Sequence, residues 1–191
     1  MLNIGIIIGS TRPGRKAETV AKWVYEIAKT RSDVRFELVD IKDYNLPLLD
    51  ELVPASMGGY QNEHTKVWSK KIGSFDGFVF VTPEYNHTIP AALKNAIDYL
   101  YEEWNDKAVG FVSYGAASGI RSVEHLRQIS GFLRLADVQS QVGFSLFTDF
   151  ENMSEFKPHP RHEKETEEML DDVIEWGGAL KAMREAQSAA K

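Results

Sequence analysis

Short apolar runs alternate along this chain with longer stretches whose apolar residues recur at helical spacing. Three of the runs, "IGIIIGST" (4–11), "GFVFVTP" (77–83) and "AVGFVSYG" (108–115), are continuous rather than alternating and end in Gly, Pro, Ser or Thr. Continuous runs of this length fit parallel strands buried on both faces. "RFELVD" (35–40) alternates as an edge strand does, and the weakly apolar "VQSQVGF" (138–144) reads as a second edge. In 17–31, Val20, Trp23, Val24 and Ile27 share one helical face; in 89–104, Ile89, Leu93, Ile97, Leu100 and Trp104 do so. Segments 119–135 and 162–186 behave alike, the last through Met169, Val173, Trp176, Leu180 and Met183.

Strands alternating with helices predict an α/β doubly wound fold. Five strands in 191 residues point to a three-layer sandwich around a parallel sheet of flavodoxin-like order 2-1-3-4-5, formed by a single domain, 1–191. Two stretches break the pattern: 41–59, with Pro47, Pro54, Gly58 and Gly59, and 145–161. Each is either a functional loop or contains short structure of its own. Gly177 and Gly178 each cost about 1 kcal/mol relative to Ala in an exposed helix interior, so the last helix either breaks there or admits a close neighbour.

Composition narrows the chemistry. An apolar content of 43% supplies a core, and the absence of cysteine excludes disulfides, thiolate nucleophiles and iron–sulfur ligation. A net charge of −6 opposes binding to nucleic acid or anionic lipid. The N-terminus enters a strand-like run without a basic leader, and no apolar stretch approaches the roughly 18 residues of a membrane span. The expectation is a cytoplasmic protein with neither membrane nor nucleic-acid partner.

In an open parallel sheet, ligands bind beyond the carboxyl ends of the strands, near the point where strand order reverses. The first such loop, "GSTRPGRK" (9–16), has the glycines of a phosphate loop but lacks the Lys-Ser/Thr pair that serves nucleoside triphosphates, and the G-x-G-x-x-G fingerprint is absent. Gly9, Gly14 and the following helix N-terminus can aim amides at an anion, Ser10 and Thr11 offer hydroxyls, and Arg12 and Arg15 offer charge-assisted hydrogen bonds. A terminal phosphate monoester, as in a mononucleotide, suits this loop; the alternative is a Gly-Pro turn with solvated arginines. In "TPEYNHTIPAALKNAIDYL" (82–100), Thr88 and Pro90 mark a helix start, and "EYNH" precedes it as irregular backbone suited to a flat polar ligand. His87 reads as a loop histidine rather than a catalyst. "SYGAASGIRS" (113–122) sets Gly115 and small residues after the fourth strand, with Ser118 placed to cap the next helix, while Tyr114 either packs on the site or covers the sheet.

Together, Ser10, Arg12, "PEYN" and "SYG" resemble the flavodoxin-like NAD(P)H-dependent FMN reductase family, which includes quinone, azo and chromate reductases; three motifs match in order and spacing across about residues 3–143. The resemblance implies that the FMN phosphate is held by Ser10, Arg12 and Arg15 and by Lys16, Ala17, Glu18 and Thr19, the last four partly through backbone. It also implies that Pro83, Glu84, Tyr85 and Asn86 line the flavin ring, with Ser113, Tyr114 and Gly115 on its other side. Two departures stand out: Ala116 and Ala117 replace a Gly-Gly pair common in the family, and "KAET" (16–19) lacks an Asn found in some members. The implied reaction passes hydride from NADPH or NADH to flavin N5 and then electrons to a small-molecule acceptor such as a quinone, flavin, azo compound or chromate. Flavin carries the chemistry, so neither a catalytic side chain nor a metal is required. A homodimer or homotetramer is also implied, with the helix after the second motif at its interface. The rival classes are an electron-carrier flavodoxin, a response-regulator receiver and a cofactor-free scaffold.

Overall fold

The computed structural model describes residues 1–190. Strands β1 (Leu2–Ile8), β2 (Val34–Asp40), β3 (Gly77–Pro83), β4 (Lys107–Gly115) and β5 (Leu135–Ser145) form one parallel sheet of order β2-β1-β3-β4-β5. This is the expected flavodoxin-like order. Every residue of β3 and β4 is buried, which is why those two runs are continuously apolar. Helices α1 (Ala17–Ala28) and α5 (Arg161–Ala189) cover one face; α2 (Glu63–Gly73), α3 (Ala91–Asp98) and α4 (Ile120–Phe132) lie with the other apolar cluster.

Several boundaries differ from the expected ones for identifiable reasons. Helix α2 was not singled out by periodicity because it buries only Thr65, Trp68 and Ile72, too narrow a stripe among Lys, Glu and His. The helix expected over 89–104 ends at Asp98, and Trp104 reaches the core from the turn that follows, its indole N–H donating to the Ile97 carbonyl at 3.2 Å. Helix α5 runs unbroken through Gly177 and Gly178. Its buried stripe is His162, Thr166, Met169, Leu170, Val173 and Gly177, so Trp176, expected on that face, is half exposed. Close packing here depends on a glycine in the sheet rather than in the helix: a Cβ on Gly110 would lie 2.6 Å from Met169 Sδ and 2.8 Å from Val173 Cγ2.

The β4–β5 ladder shifts register between Val109 and Phe111, where β5 carries extra residues. The backbone freed there is satisfied by Arg127, which donates to the carbonyls of Val138 (2.8 Å) and Gln139 (3.0 Å) and to Asp137 (2.5 Å). The two stretches that broke the sequence pattern do contain short structure. Residues 41–59 hold two 3₁₀ turns, Ile41–Tyr44 and Ala55–Met57. Residues 145–161 hold a small antiparallel hairpin, β6 (Phe150–Glu151) with β7 (Glu155–Phe156), whose Phe150 and Phe156 close over Phe144 and Trp23. Asp149 anchors it, accepting from the amides of Ser145 (2.9 Å) and His159 (3.2 Å) and from buried His162 (3.0 Å). Burial acts to raise the Asp149 carboxyl, but these hydrogen bonds outweigh it and hold the group below the ordinary carboxylate range.

At the opposite, amino-terminal edge of the sheet, Lys107 is buried, with its Nζ donating to the Ile72 carbonyl at 3.3 Å and 5.4 Å from the Phe78 ring centre. Desolvation, with Arg184 nearby, lowers its pKa from 10.5 to about 8. The unfolded chain therefore holds this proton at pH values where the folded chain has released it. Unfolding free energy is expected to rise by roughly 3 kcal/mol between pH 8 and 10.5 from this group alone. Denaturant titrations across that window should show this as a growing difference between wild type and Lys107→Met, because the raised hydroxyls of Tyr44, Tyr60, Tyr99 and Tyr114 lower stability in both proteins as pH passes about 10.

Candidate active site

The site is assembled from three loops at the carboxyl edge of β1, β3 and β4, where the order of the sheet reverses. The first leaves β1 and tightens at Arg12–Arg15, with the Arg15 amide donating to the Arg12 carbonyl at 3.1 Å. Pro13 and Gly14 occupy its centre, and Gly14 has φ 69°, the arrangement of a type II turn. Helix α1 then begins at Ala17, and its N-cap residue Lys16 supplies no side-chain hydrogen bond to the first-turn amides. An uncapped helix N-terminus at this edge of a parallel sheet presents donors and positive dipole to an anion. Ser10 is fully buried, and its Oγ shares a 3.0 Å hydrogen bond with the Tyr85 hydroxyl.

The second loop is more regular than the irregular backbone expected from the sequence. Tyr85 and Thr88 exchange two backbone hydrogen bonds of 2.9 and 3.1 Å around Asn86 (φ 50°) and His87 (φ 73°). This is a two-residue turn of type I′, which confers left-handed backbone on two residues that lack glycine's freedom. Asn86 and His87 are therefore held at an exposed apex, consistent with His87 as a loop residue. The helix start expected at Thr88 and Pro90 falls just after them, at Ala91. The Thr88 hydroxyl meets His125 Nδ1 at 2.6 Å, and α3 starts without a side-chain cap. Glu84 continues the sheet, its amide donating to the Tyr114 carbonyl at 3.1 Å, while its carboxylate accepts from the Arg121 amide (3.2 Å) and guanidinium (2.6 Å) at the start of α4.

In the third loop Ser118 has φ 55° and Gly119 has φ 72°. Ser118 does not cap α4 through its side chain; Gly119 is the N-cap residue, and the Ser118 carbonyl instead accepts from Ser113 Oγ at 2.7 Å. A Cβ on Gly119 would lie 2.7 Å from Ser113 Cβ and 2.8 Å from the Tyr114 amide nitrogen, so this position excludes a side chain both by conformation and by space. Ala116 and Ala117 stand exposed on the loop's outer surface. Tyr114 does more than cover the sheet. Burial raises its hydroxyl well above the ordinary tyrosine range, Tyr85 adds to the shift, and the Ala17 amide at the head of α1 partly offsets it. The phenol therefore stays neutral across physiological pH.

Of the residues singled out from sequence, Ser10, Arg12, Tyr85, Tyr114 and the α1 N-terminus (16–19) are brought together. Arg12 is exposed and lies 5.9 Å from the Tyr85 ring centre, free to meet a ligand. Pro83, Glu84, Asn86, Ser113 and Gly115 form the walls of the second and third loops. Arg15, expected to hold the phosphate alongside Arg12, pairs with Asp40 at the end of β2 and donates to the Ser10 carbonyl at 2.7 Å. His125, Arg121 and Gly119 were not singled out as site residues by the sequence. Of these, Gly119 alone carried a local signal, a glycine just ahead of a helix.

The fold and this three-loop edge define a flavodoxin-like protein. Comparison with known proteins gives the family: the sequence profile described as NADPH-dependent FMN reductase matches residues 2–149. An NAD(P)H-dependent FMN reductase of Schizosaccharomyces pombe is 46% identical over 132 residues, covering 68% of this chain and 66% of the relative. A quinone reductase of Pseudomonas putida is 33% identical over 159 residues, covering 77% and 82%. The flavoenzyme NAD(P)H:(acceptor) oxidoreductase FerB of Paracoccus denitrificans shares the fold at a TM-score of 0.74 and 18% identity, over 94% of this chain and 98% of its own. The chain therefore belongs to the NADPH-dependent FMN reductase family, oxidoreductases that use FMN and a reduced nicotinamide nucleotide.

Gly119→Ala should dislodge the third loop while leaving the sheet intact. The expected outcome is a loss of about 1–3 kcal/mol in urea unfolding, from strained φ and overpacking, with unchanged far-ultraviolet circular dichroism and weakened flavin binding.

Proposed function

We propose that the protein oxidises NADPH or NADH through bound FMN and passes the electrons to a small-molecule acceptor: a quinone, a free flavin, an azo compound or chromate. The observation that carries this reading is the uncapped N-terminus of α1, in a loop whose exposed Arg12 lies 5.9 Å from the Tyr85 ring centre and whose Ser10 Oγ lies 3.0 Å from the Tyr85 hydroxyl. A phosphate fits the donors of the first loop, and a flat ring fits the left-handed turn at Asn86–His87 opposite the small residues 115–117. When bound, FMN supplies hydride acceptance and onward electron transfer. The chain's own residues bind and orient it.

Arg12, the Ser10 hydroxyl and the amides of 16–19 hold the phosphate. Asn86 and the neighbouring amides address the ring's polar edge, while Ser113, Tyr114 and Gly115 line its other side. The positive end of α1 would hold the phosphate, and amide dipoles of the second and third loops would favour negative charge on a bound ring, an electrostatic contribution fixed before reaction. A cytoplasmic setting belongs to the same reading, since reduced nicotinamide nucleotides are its donor.

The same reading makes the protein a homodimer, or a tetramer of such dimers. A groove of about 950 Å³ runs between α3, α4 and the 46–57 loop, lined by Leu49, Ile89, Ile97, Tyr101, Ile129 and Phe132 among others. The loop is tied inward by polar bonds: Tyr99 donates to Asp50 at 2.9 Å, and Asn95 accepts from the Leu49 amide at 2.9 Å. Leu52 and Met57 of this loop are 93% and 74% exposed, and Phe132 on the groove's α4 side is 76% exposed. A second copy presenting the same apolar face would bury both.

An anaerobic visible spectrum of the FMN-reconstituted protein should bleach on addition of NADPH and recover on addition of a quinone. A bound flavin that NADPH leaves oxidised would make the protein an electron carrier instead. Arg12→Ala should weaken FMN binding by about tenfold or more, consistent with loss of a charge-assisted contact, with little change in melting temperature. In sedimentation velocity, Leu52→Glu combined with Phe132→Glu should convert the assembly to monomer; an unchanged sedimentation coefficient would move the interface elsewhere.

A further inference from the structure

Arg12 and Arg15 flank one turn, carry one charge each and occupy opposite environments. The Arg12 side chain reaches solvent above Tyr85. The Arg15 side chain is 8% exposed, its Nη1 donates to the Ser10 carbonyl at 2.7 Å, and its Nη2 forms an ion pair with Asp40, with Glu18 at 3.6 Å. Asp40 is itself largely buried and sits directly across the β1–β2 ladder from Ile8, two residues ahead of Ser10. Its second carboxylate oxygen accepts from the Lys42 amide at 2.9 Å and fixes the 3₁₀ turn after β2. One planar guanidinium thus ties the carbonyl of Ser10 to the end of the neighbouring strand.

We propose that Arg15 and Asp40 are positioning residues for the cofactor's phosphate: their pair fixes the Ser10–Arg12 backbone in its receiving geometry, and Arg12 is the cation that touches the phosphate. This deepens the FMN reading and rests on it. A carboxylate close to a dianion site repels the dianion by Coulomb's law, so its presence calls for a compensating role. Supporting a buried guanidinium is such a role, because without Asp40 that group keeps only the Ser10 carbonyl and the more distant, half-exposed Glu18 carboxylate as partners. Without Asp40 the Arg15 side chain swings to solvent, and the Ser10 carbonyl loses its anchor.

The two accounts of Asp40 predict opposite signs. If Arg15 were a phosphate ligand restrained by Asp40, Asp40→Asn would free it and remove a repulsive charge, and FMN would bind more tightly. The positioning role predicts weaker FMN binding. The experiment is fluorescence titration of FMN and of riboflavin into wild type, Asp40→Asn, Arg15→Met and the double variant, with melting temperatures measured alongside. Expected is a loss of about tenfold in FMN affinity for each single variant, riboflavin affinity within about twofold, and a double variant no worse than either single one, the signature of groups acting as a unit.

Tighter or unchanged FMN binding in Asp40→Asn, or additive losses in the double variant, would overturn the proposal. Arg15→Lys keeps the charge but not the fork, and gives a second reading should Asp40→Asn fail to fold. It should lose FMN affinity as Arg15→Met does, whereas retained affinity would make residue 15 a direct phosphate contact. A wild type that binds riboflavin as tightly as FMN would instead overturn the underlying phosphate-site reading.

Discussion

Burial of β3 and β4 on both faces is the constraint from which the rest of this molecule follows. All seven residues of β3 and all nine of β4 are inside, so these strands can carry no chemistry along their length. Polar function is forced to the ends of the strands, and the parallel arrangement gathers the carboxyl ends of β1, β3 and β4 at one edge. The helix that must follow each strand then delivers its N-terminus to that same edge. Flavin reductases exploit this arrangement, and here it yields the uncapped head of α1 beside Arg12.

Backbone conformation at that edge is strained in a consistent way. Gly14, Asn86, His87, Ser118 and Gly119 all have positive φ, and all lie in the three loops of the site. Left-handed residues turn the chain sharply and leave amides facing outward, as a planar polar ligand requires. For Asn86, His87 and Ser118 this conformation costs of order 1 kcal/mol or more each, which the packed strands on either side sustain. Tyr85 to Ser10, Glu84 to Tyr114 and Ser113 to Ser118 are the hydrogen bonds that knit the loops to one another.

Much of this was legible in the sequence. Continuous apolar runs mark strands buried on two sides, and alternation in 35–40 marks an edge, so the sheet followed from pattern, whereas its order was expected from the number of strands in a chain of this length, since periodicity does not fix it. Site motifs were legible for a related reason: Gly, Pro, Ser and Arg directly after a buried strand have few structural uses besides turning the chain toward a ligand. Helix α2 escaped notice because burying three residues leaves almost no periodic signal. The stripe of α5 was misplaced by a large aromatic, Trp176, where the packing face runs through Gly177 instead.

What the sequence determined by itself, then, was the layer architecture, the three loops and the family they mark, because each rests on contacts within one short segment or on the period of its apolar residues. Only the tertiary structure decided which side chains are tied into the fold and which are left exposed at the loops. Arg12 and Arg15 are indistinguishable by composition and lie three residues apart. What separates them is Asp40, 25 residues further along the chain and brought beside Arg15 by the pairing of β2 with β1. The same holds for Thr88, whose hydroxyl meets His125 of α4, and for Glu84, which pairs with Arg121. A side chain's partner is set by strand pairing and helix placement across the whole domain, and no local pattern encodes that distance.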